Sequence, residues 1–164
     1  MTPIDVSELL ENPGTDRVVH LDEPIEGLAL EMASVDAPLD AGLRLASVSE
    51  GIFVSGDIRG GADLTCARCL ETFASNFDVK VGELFHIDPG EEDDYAVTEL
   101  GEIDLEPMIR DAVLLSMPFS PLCREDCKGL CPVCGSDRNQ RECHSGDRSI
   151  DPRWAGLQQL VDND

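Results

Sequence analysis

The residues with most chemistry to offer in this 164-residue chain are its seven cysteines. They fall as Cys66-x2-Cys69, then Cys123-x3-Cys127-x3-Cys131-x2-Cys134-x8-Cys143, with His144 adjacent. Two thiolates separated by two residues reach one ion from a tight turn, and a tetrahedral site takes four such donors. Neither C-x2-C pair completes a site alone, whereas the cysteines with His144 supply eight donors, enough for two sites. The preferred pairing joins Cys66 and Cys69 to Cys123 and Cys127, and gathers Cys131, Cys134, Cys143 and His144 into a second site. An alternative places Cys127, Cys131, Cys134 and Cys143 on one ion, with Cys66 and Cys69 elsewhere. Cys143 also reads as a spare surface thiol, since eight residues separate it from Cys134. Soft thiolates at these spacings select zinc or an iron–sulfur cluster; zinc is the expected metal, as one or two ions. Ligation wholly by Cys and His leaves no coordination position for water, so the expected role is structural.

The apolar pattern predicts the elements that must position these ligands. Ile4 to Leu10 reads as a strand running into a helical turn capped by Ser7, and residues 17–21 read as a strand. Residues 22–41 read as strand fragments and loop. LRLASV and GIFVSGDIRG flank the turn-forming Ser49-Glu50-Gly51, a hairpin signature, and Leu64 ends a further extended segment at Cys66. Phe73, Phe77, Val79, Val81 and Phe85 share one parity, the mark of a long strand with one buried face. It forms a second hairpin whose tip is the Cys66–Cys69 turn. Asp104 caps a helix over 105–117, with Pro107 in its first turn and Leu105, Met108, Ile109, Ala112 and Leu115 on its apolar face. Asp151 and Pro152 open a C-terminal helix over 151–162, with Trp154, Leu157, Leu160 and Val161 as its apolar face. The expected fold is α+β: a strand-rich antiparallel sheet or partly open barrel, two short helices and a Cys-rich zinc-knuckle segment. Its divisions are a strand-rich domain (1–120), the Cys-rich segment (121–150) and the C-terminal helix packing back on the domain.

Composition bounds the function. The net charge is −22 and aromatics number seven, so the core must be built from Leu, Val, Ile and Ala. No apolar run approaches a membrane span, and the acidic N-terminus lacks a basic-then-apolar leader, so the expected location is the cytoplasm. That compartment keeps thiols reduced, which sets disulfides aside. Charge is uneven. Residues 1–120 carry six basic against 26 acidic residues, whereas 121–153 carry six of each and hold five of the seven cysteines. Residues 88–106 carry nine Asp or Glu and no Lys or Arg, which reads as a solvated, mobile loop. Arg68, Arg124, Lys128, Arg138 and Arg141 either offset local thiolate and acidic charge or, on a stiffened knuckle, contact phosphate.

Enzyme signatures are missing: no H-E-x-x-H, no G-x-x-x-x-G-K-[ST], no G-x-S-x-G. A redox role for Cys66-x2-Cys69 needs a βαβ context, and the pattern gives a hairpin instead. Gly56, Gly60 and Gly61 read as strand bends; His20 and His86 read as half-buried strand histidines. The expected protein is therefore not an enzyme, with a zinc or thiol enzyme as the competing class.

Four strings occur in order: C-A-R-C-L at 66–70, G-E-I-D-L-E-P at 101–107, P-L-C-R-E-D-C-K-G-L-C-P-V-C-G at 121–135 and D-P-R-W at 151–154. Together they resemble the YceD-type proteins, which are linked to accumulation of large-subunit ribosomal RNA. The resemblance marks Cys66, Cys69, Cys123, Cys127, Cys131 and Cys134 as family cysteine positions. It departs from the family after Cys143, where many relatives carry a second Cys and this chain has His144-Ser145. Some relatives lack much of the C-terminal cluster, which implies that a second site is dispensable to the common function. The implied function is that of a non-enzymatic, zinc-stabilised factor in large-subunit ribosome biogenesis. Its implied partner is precursor rRNA or an assembly intermediate, bound through the basic residues of the knuckle segment. Alternatively, the acidic face holds a basic ribosomal protein before its assembly. Charge complementarity gives fast encounter in either case.

Overall fold

The computed structural model describes residues 2–90 and 94–141; Cys143, His144 and the helix expected at 151–162 lie outside the described residues. The elements in chain order are β1 (Ile4–Asp5), α1 (Ser7–Glu11), β2 (Asp16–Glu23), β3 (Ala29–Leu30), β4 (Ala33–Ser34), β5 (Leu39–Val48), β6 (Gly51–Thr65), β7 (Thr72–His86), β8 (Glu102–Ile103) and α2 (Glu106–Ser116).

Alternation builds the sheet. Along β5 the side chains of Leu39, Ala41, Leu43 and Leu45 turn inward and the residues between them outward. Ser49 and Glu50 close the hairpin, with Val48 opposite Gly51. The two extended segments expected from Gly51 to Cys66 are a single 15-residue strand, β6. One edge of β6 pairs with β7 along its whole length, from Gly51↔His86 to Thr65↔Thr72. Its other edge pairs first with β5 and then, beyond Gly60 and Gly61, with β4 at Asp63 and Leu64. Adding β2 beside β5 and β3 beside β4 gives a six-stranded antiparallel sheet, while β1 and β8 pair separately. The fold is thus α+β with two short helices among the described residues.

The inner face of the sheet carries the core: Leu43, Leu45, Ile52, Val54, Ile58 and Phe85 are fully buried. Leu9 of α1 joins them, as do Leu105, Met108, Ile109 and Val113 of the α2 region. Each such aliphatic side chain contributes about 1.5–3 kcal/mol by leaving water. The apolar stripe of α2 differs from expectation at one place. Val113, four residues beyond Ile109, is buried, whereas Leu115 falls at the margin of the stripe in the last turn and is 86% exposed. Asp104 accepts the Glu106 N–H at 3.0 Å, as a capping carboxylate should. At α1 the acceptor is Asp5 rather than Ser7: its Oδ1 takes the Ser7 N–H at 2.9 Å. His20 is exposed on β2, and His86 closes β7.

The acidic run is less solvated than its charge implies. Among its described residues, Val97, Ile103 and Leu105 are buried between outward-facing acids. The Tyr95 ring stacks on Phe85 with centroids 5.3 Å apart, and its hydroxyl donates to Asp111 at 2.9 Å. Charge statistics weigh the acids and miss the apolar residues spaced among them. Burial, then the hydrogen bond and the negative charge of Asp111, push the Tyr95 phenol up to about 12.

Tyr95 is the only tyrosine, so ultraviolet titration of phenolate reports it alone. The native protein should ionise near pH 12 rather than at about pH 10 as a free tyrosine does. The folded state then holds this proton more tightly than the unfolded one. Its stabilising contribution is complete below about pH 10 and is lost as pH rises through the folded value. Asp111→Asn should lower the midpoint toward about 10; an unchanged midpoint would sink the assignment of Asp111 as its partner.

Candidate metal centre

Six residues, Cys66 to Glu71, connect β6 to β7, and their backbone folds into a knuckle. The Cys66 N–H donates to the Glu71 carbonyl at 2.9 Å and the Leu70 N–H to the Cys66 carbonyl at 2.9 Å. Closing so tight a loop puts Leu70 in the left-handed region, at φ +62°. The long hairpin thereby presents Cys66 and Cys69 at its tip.

The second pair of thiols arrives after α2. Pro118 and Pro121 keep this stretch from continuing the helix, and the chain runs back to the knuckle. There the Ala67 N–H donates to the Pro121 carbonyl at 2.8 Å and the Leu130 N–H to the Arg68 carbonyl at 2.9 Å. The Arg68 guanidinium spans the same junction, donating to the Cys127 carbonyl at 2.9 Å and the Glu125 carbonyl at 3.4 Å. Gly129 sits against Arg68 at φ +69°, with no room for a Cβ: the Arg68 carbonyl oxygen would lie 2.8 Å away.

These contacts bring Cys66, Cys69, Cys123 and Cys127 together, all four sulfurs within 4.8 Å of one another. Cys66 and Cys127 sulfurs are 3.8 Å apart, and those of Cys69 and Cys123 are 3.7 Å apart. Three of the four are buried, Cys123 is half-buried, and none forms a disulfide. A tetrahedron of sulfurs about 2.3 Å from a central zinc has edges of about 3.8 Å, so the donor set fits a closed thiolate site. Cys127 lies within 4.8 Å of the Cys66, Cys69 and Cys123 sulfurs, the four that the preferred pairing joins.

Protonation is unevenly held. Burial pushes the Cys66 thiol up, but N–H groups of Cys123, Cys69 and Arg68 donate to its sulfur and together bring it down to about 6. Burial, then the neighbouring thiols of Cys69, Cys127 and Cys66, push Cys123 up to about 12. At Cys69 the Glu71 N–H favours the thiolate, yet burial and the Cys66 and Cys127 thiols outweigh it and raise the value. The Cys66 thiolate is thus favoured, whereas Cys69 and Cys123 are held toward the thiol form that a cation beside them would displace.

Cys131 to Ser136 repeats the knuckle. The Cys131 N–H donates to the Ser136 carbonyl and the Gly135 N–H to the Cys131 carbonyl, both at 2.8 Å. Gly135 is at φ +69°, where the first knuckle has Leu70, and the Val133 N–H donates to the Cys131 sulfur at 3.4 Å. Cys131 is buried; Cys134 is exposed, its sulfur 3.0 Å from the Ser136 hydroxyl. Their expected partners, Cys143 and His144, lie outside the described residues. Arg124, Lys128, Arg138 and Arg141 are exposed on this segment, and Arg124 pairs with Asp126 at 3.4 Å. Sequence reasoning did not find Gly129 or Asn139, whose side chain reaches the Cys127 sulfur, because neither belongs to a spacing motif.

Among known proteins, the family model described as "Large ribosomal RNA subunit accumulation protein YceD" matches residues 54–161. An uncharacterized protein of Mycobacterium tuberculosis is 38% identical over 168 residues, covering 96% of this chain and 80% of the relative. The uncharacterized protein YlbN of Bacillus subtilis is 30% identical over 128 residues, 76% of this chain and 72% of the relative. A chloroplastic large ribosomal RNA subunit accumulation protein of Arabidopsis thaliana, a YCED homolog, is 37% identical over 62 residues, 38% of this chain and 19% of its own length. No solved structure matches. No helix among the described residues is long and apolar enough to cross a membrane.

Two glycines of like conformation test how the segment is docked. At Gly135 a Cβ meets nothing, so Gly135→Ala should cost only the left-handed strain, about 1 kcal/mol. Gly129→Ala adds the collision with Arg68 and should cost about 2–3 kcal/mol, with faster alkylation of Cys127 in the native protein. Thermal unfolding and thiol mapping check this; equal losses at the two sites would mean that Gly129 does not hold the junction.

Proposed function

This chain belongs to the YceD family, whose members are non-enzymatic accessory factors, and on that premise we propose that it is a zinc-stabilised factor of large-subunit ribosome biogenesis. It supports ribosomal RNA accumulation by holding precursor rRNA or an assembly intermediate in the cytoplasm. The observation that carries this reading is the cluster of four cysteines at the junction of the hairpin tip and the charge-balanced Cys-rich segment.

Cys66, Cys69, Cys123 and Cys127 would hold one zinc ion, and Cys131, Cys134, Cys143 and His144 a second. Bound by four such donors, a zinc ion would fix the loop geometry and leave no open position for a reacting water. The chain's own residues do the rest. Cys69 and Cys123, held toward the thiol form, would give up their protons on ligation and so stiffen the junction that backbone bonds between residues 67–68 and 121–130 already tie. Arg124, Lys128, Arg138 and Arg141 are thereby presented from a stiff surface, at low entropic cost of ordering them. The acidic remainder, with 26 acids against six basic residues in 1–120, repels phosphate elsewhere and confines contact to this segment. The same excess of acid favours a second reading, a chaperone for a basic ribosomal protein.

Protein purified from its host at moderate salt should carry zinc and co-purify with large-subunit precursor RNA. Changing Arg124, Lys128, Arg138 and Arg141 together to Glu should abolish RNA recovery while leaving the zinc content unchanged. Four phosphate contacts also predict an affinity roughly 50–150-fold weaker at 200 mM than at 50 mM salt. RNA recovery that survives charge reversal would overturn contact through these residues. Recovery of a basic ribosomal protein without RNA would favour the chaperone instead.

A further inference from the structure

Asn139 lies five residues beyond the second C-x2-C pair, yet its side chain serves the first cluster. Its Nδ2 donates to the Cys127 sulfur at 3.4 Å. The same amide group donates to Asp137 Oδ1 at 2.8 Å, and Asn139 Oδ1 accepts the Lys128 N–H at 2.8 Å. Asp137 Oδ1 also takes the Asn139 N–H at 2.8 Å, which fixes the turn from which the side chain projects. Two amide hydrogens and the carbonyl oxygen are thus all engaged.

This arrangement settles which end of the amide faces the sulfur. Rotating the amide by half a turn would point its oxygen at the Asp137 carboxylate and at a thiolate, and its NH2 at the Lys128 N–H. Three favourable bonds would become three repulsions, so the donor faces Cys127.

We infer that Asn139 is a positioning residue of the metal centre, one that tunes the Cys127 thiolate by an N–H···S hydrogen bond. The inference rests on the proposed reading of the four cysteines as ligands. Four thiolates around a divalent cation leave the centre with two negative charges in a largely buried place. Dipoles aimed at the sulfurs are what make that charge tolerable. Cys66 receives such bonds from backbone N–H groups, and so does Cys69 from Glu71. At Cys127 the donor is a side chain. A hydrogen bond to sulfur lowers the energy of its lone pairs, so the Cys127–metal bond becomes less readily protonated and slower to open. Because Asn139 is reached through the Cys131–Ser136 knuckle, the same bond ties the state of the second knuckle to that of the first cluster.

The test uses full-length protein loaded with cobalt(II), whose thiolate charge-transfer absorption reads sulfur lone-pair energy directly. Asn139→Ala should bind cobalt with the wild-type stoichiometry. Its charge-transfer band should move to lower energy, and metal should pass to a chelator about 10-fold faster or more. A bracing role alone would speed release but leave the band where it was. Asn139→Asp keeps the size of the side chain and the oxygen that accepts the Lys128 N–H but turns an acceptor toward the sulfur and Asp137. It should shift the band in the same direction and release metal faster still. Cobalt stoichiometry with far-ultraviolet dichroism establishes for both variants that the segment stays folded. Wild-type band energies in both variants would overturn the role of Asn139 while leaving the metal site intact. Wild-type protein that takes up no cobalt would overturn the metal reading and this inference with it.

Discussion

Four sulfur atoms crowded within 4.8 Å hold the tip of the long hairpin against the segment that follows α2. Their surroundings form a small cluster of buried residues, Cys66, Cys69 and Cys127, with Leu122, Cys123 and Phe73 packed on it, and Phe73 also touches the main core. So small a cluster cannot by itself offset the entropy of ordering residues 121–141, which costs roughly 1–2 kcal/mol per residue in the backbone alone. Protonated thiols at 3.7–3.8 Å merely touch, and ionised ones repel. On the proposed reading, a cation among them would convert the repulsion into attraction. The hydrogen bonds from Arg68, Ala67 and Leu130 across the junction orient the two segments, each worth about 1 kcal/mol.

The sheet exists, from this standpoint, to carry the knuckle at a fixed place. β6 is the spine: every residue from Gly51 to Thr65 is in register with β7, so the hairpin tip has no freedom to slip. A slip of one residue would turn Phe73, Val81 and Phe85 to solvent, which the buried face forbids. α2 packs against β7 through its aliphatic stripe and so delivers Met117 and the two following prolines toward the same end. Neither pair of cysteines needs to know of the other; a register and a helix length bring them together.

What was legible in the sequence is what repeats. The parity of β7, the turn between β5 and β6 and the C-x2-C spacing are periodic or paired signals, and each predicts its element. The grouping of Cys66 and Cys69 with Cys123 and Cys127 was preferred because it ties the sheet to the end of the long helix, but spacing alone left open a site from Cys127, Cys131, Cys134 and Cys143. What was not legible depends on single side chains meeting the backbone. Nothing in the string C-A-R-C distinguishes an arginine bound for phosphate from one that bridges two carbonyls, as Arg68 does. The burial of Val113 in place of Leu115 depends on where the sheet ends beneath the helix. Tyr95 and Val97 hide in a stretch whose composition suggests water on every side.

The cations of the strand-rich part are almost all committed to contacts within the chain. Arg17 donates to the Asp5 carbonyl, Arg44 pairs with Asp16, Arg59 with Asp78, Arg68 bridges to Cys127, and Arg110 holds Glu106 and the carbonyls of Glu26 and Gly27. Five of the six basic residues in 1–120 are therefore engaged in the chain's own contacts. Arg44 and Arg59 are held above the ordinary guanidinium range, by the side-chain hydrogen bond and then the charge of their aspartates. A polyanion approaching this part would meet unpaired acid. Approaching the Cys-rich segment, it meets Lys128, Arg138 and Arg141, exposed on loops whose backbone is fixed by knuckles. Electrostatic selection of this kind needs both features: a repulsive body and a small, stiff region of balanced charge. On the proposed reading the cysteines supply the stiffness, and the ligands that fold the segment would also decide where on this acidic molecule a phosphate backbone is met.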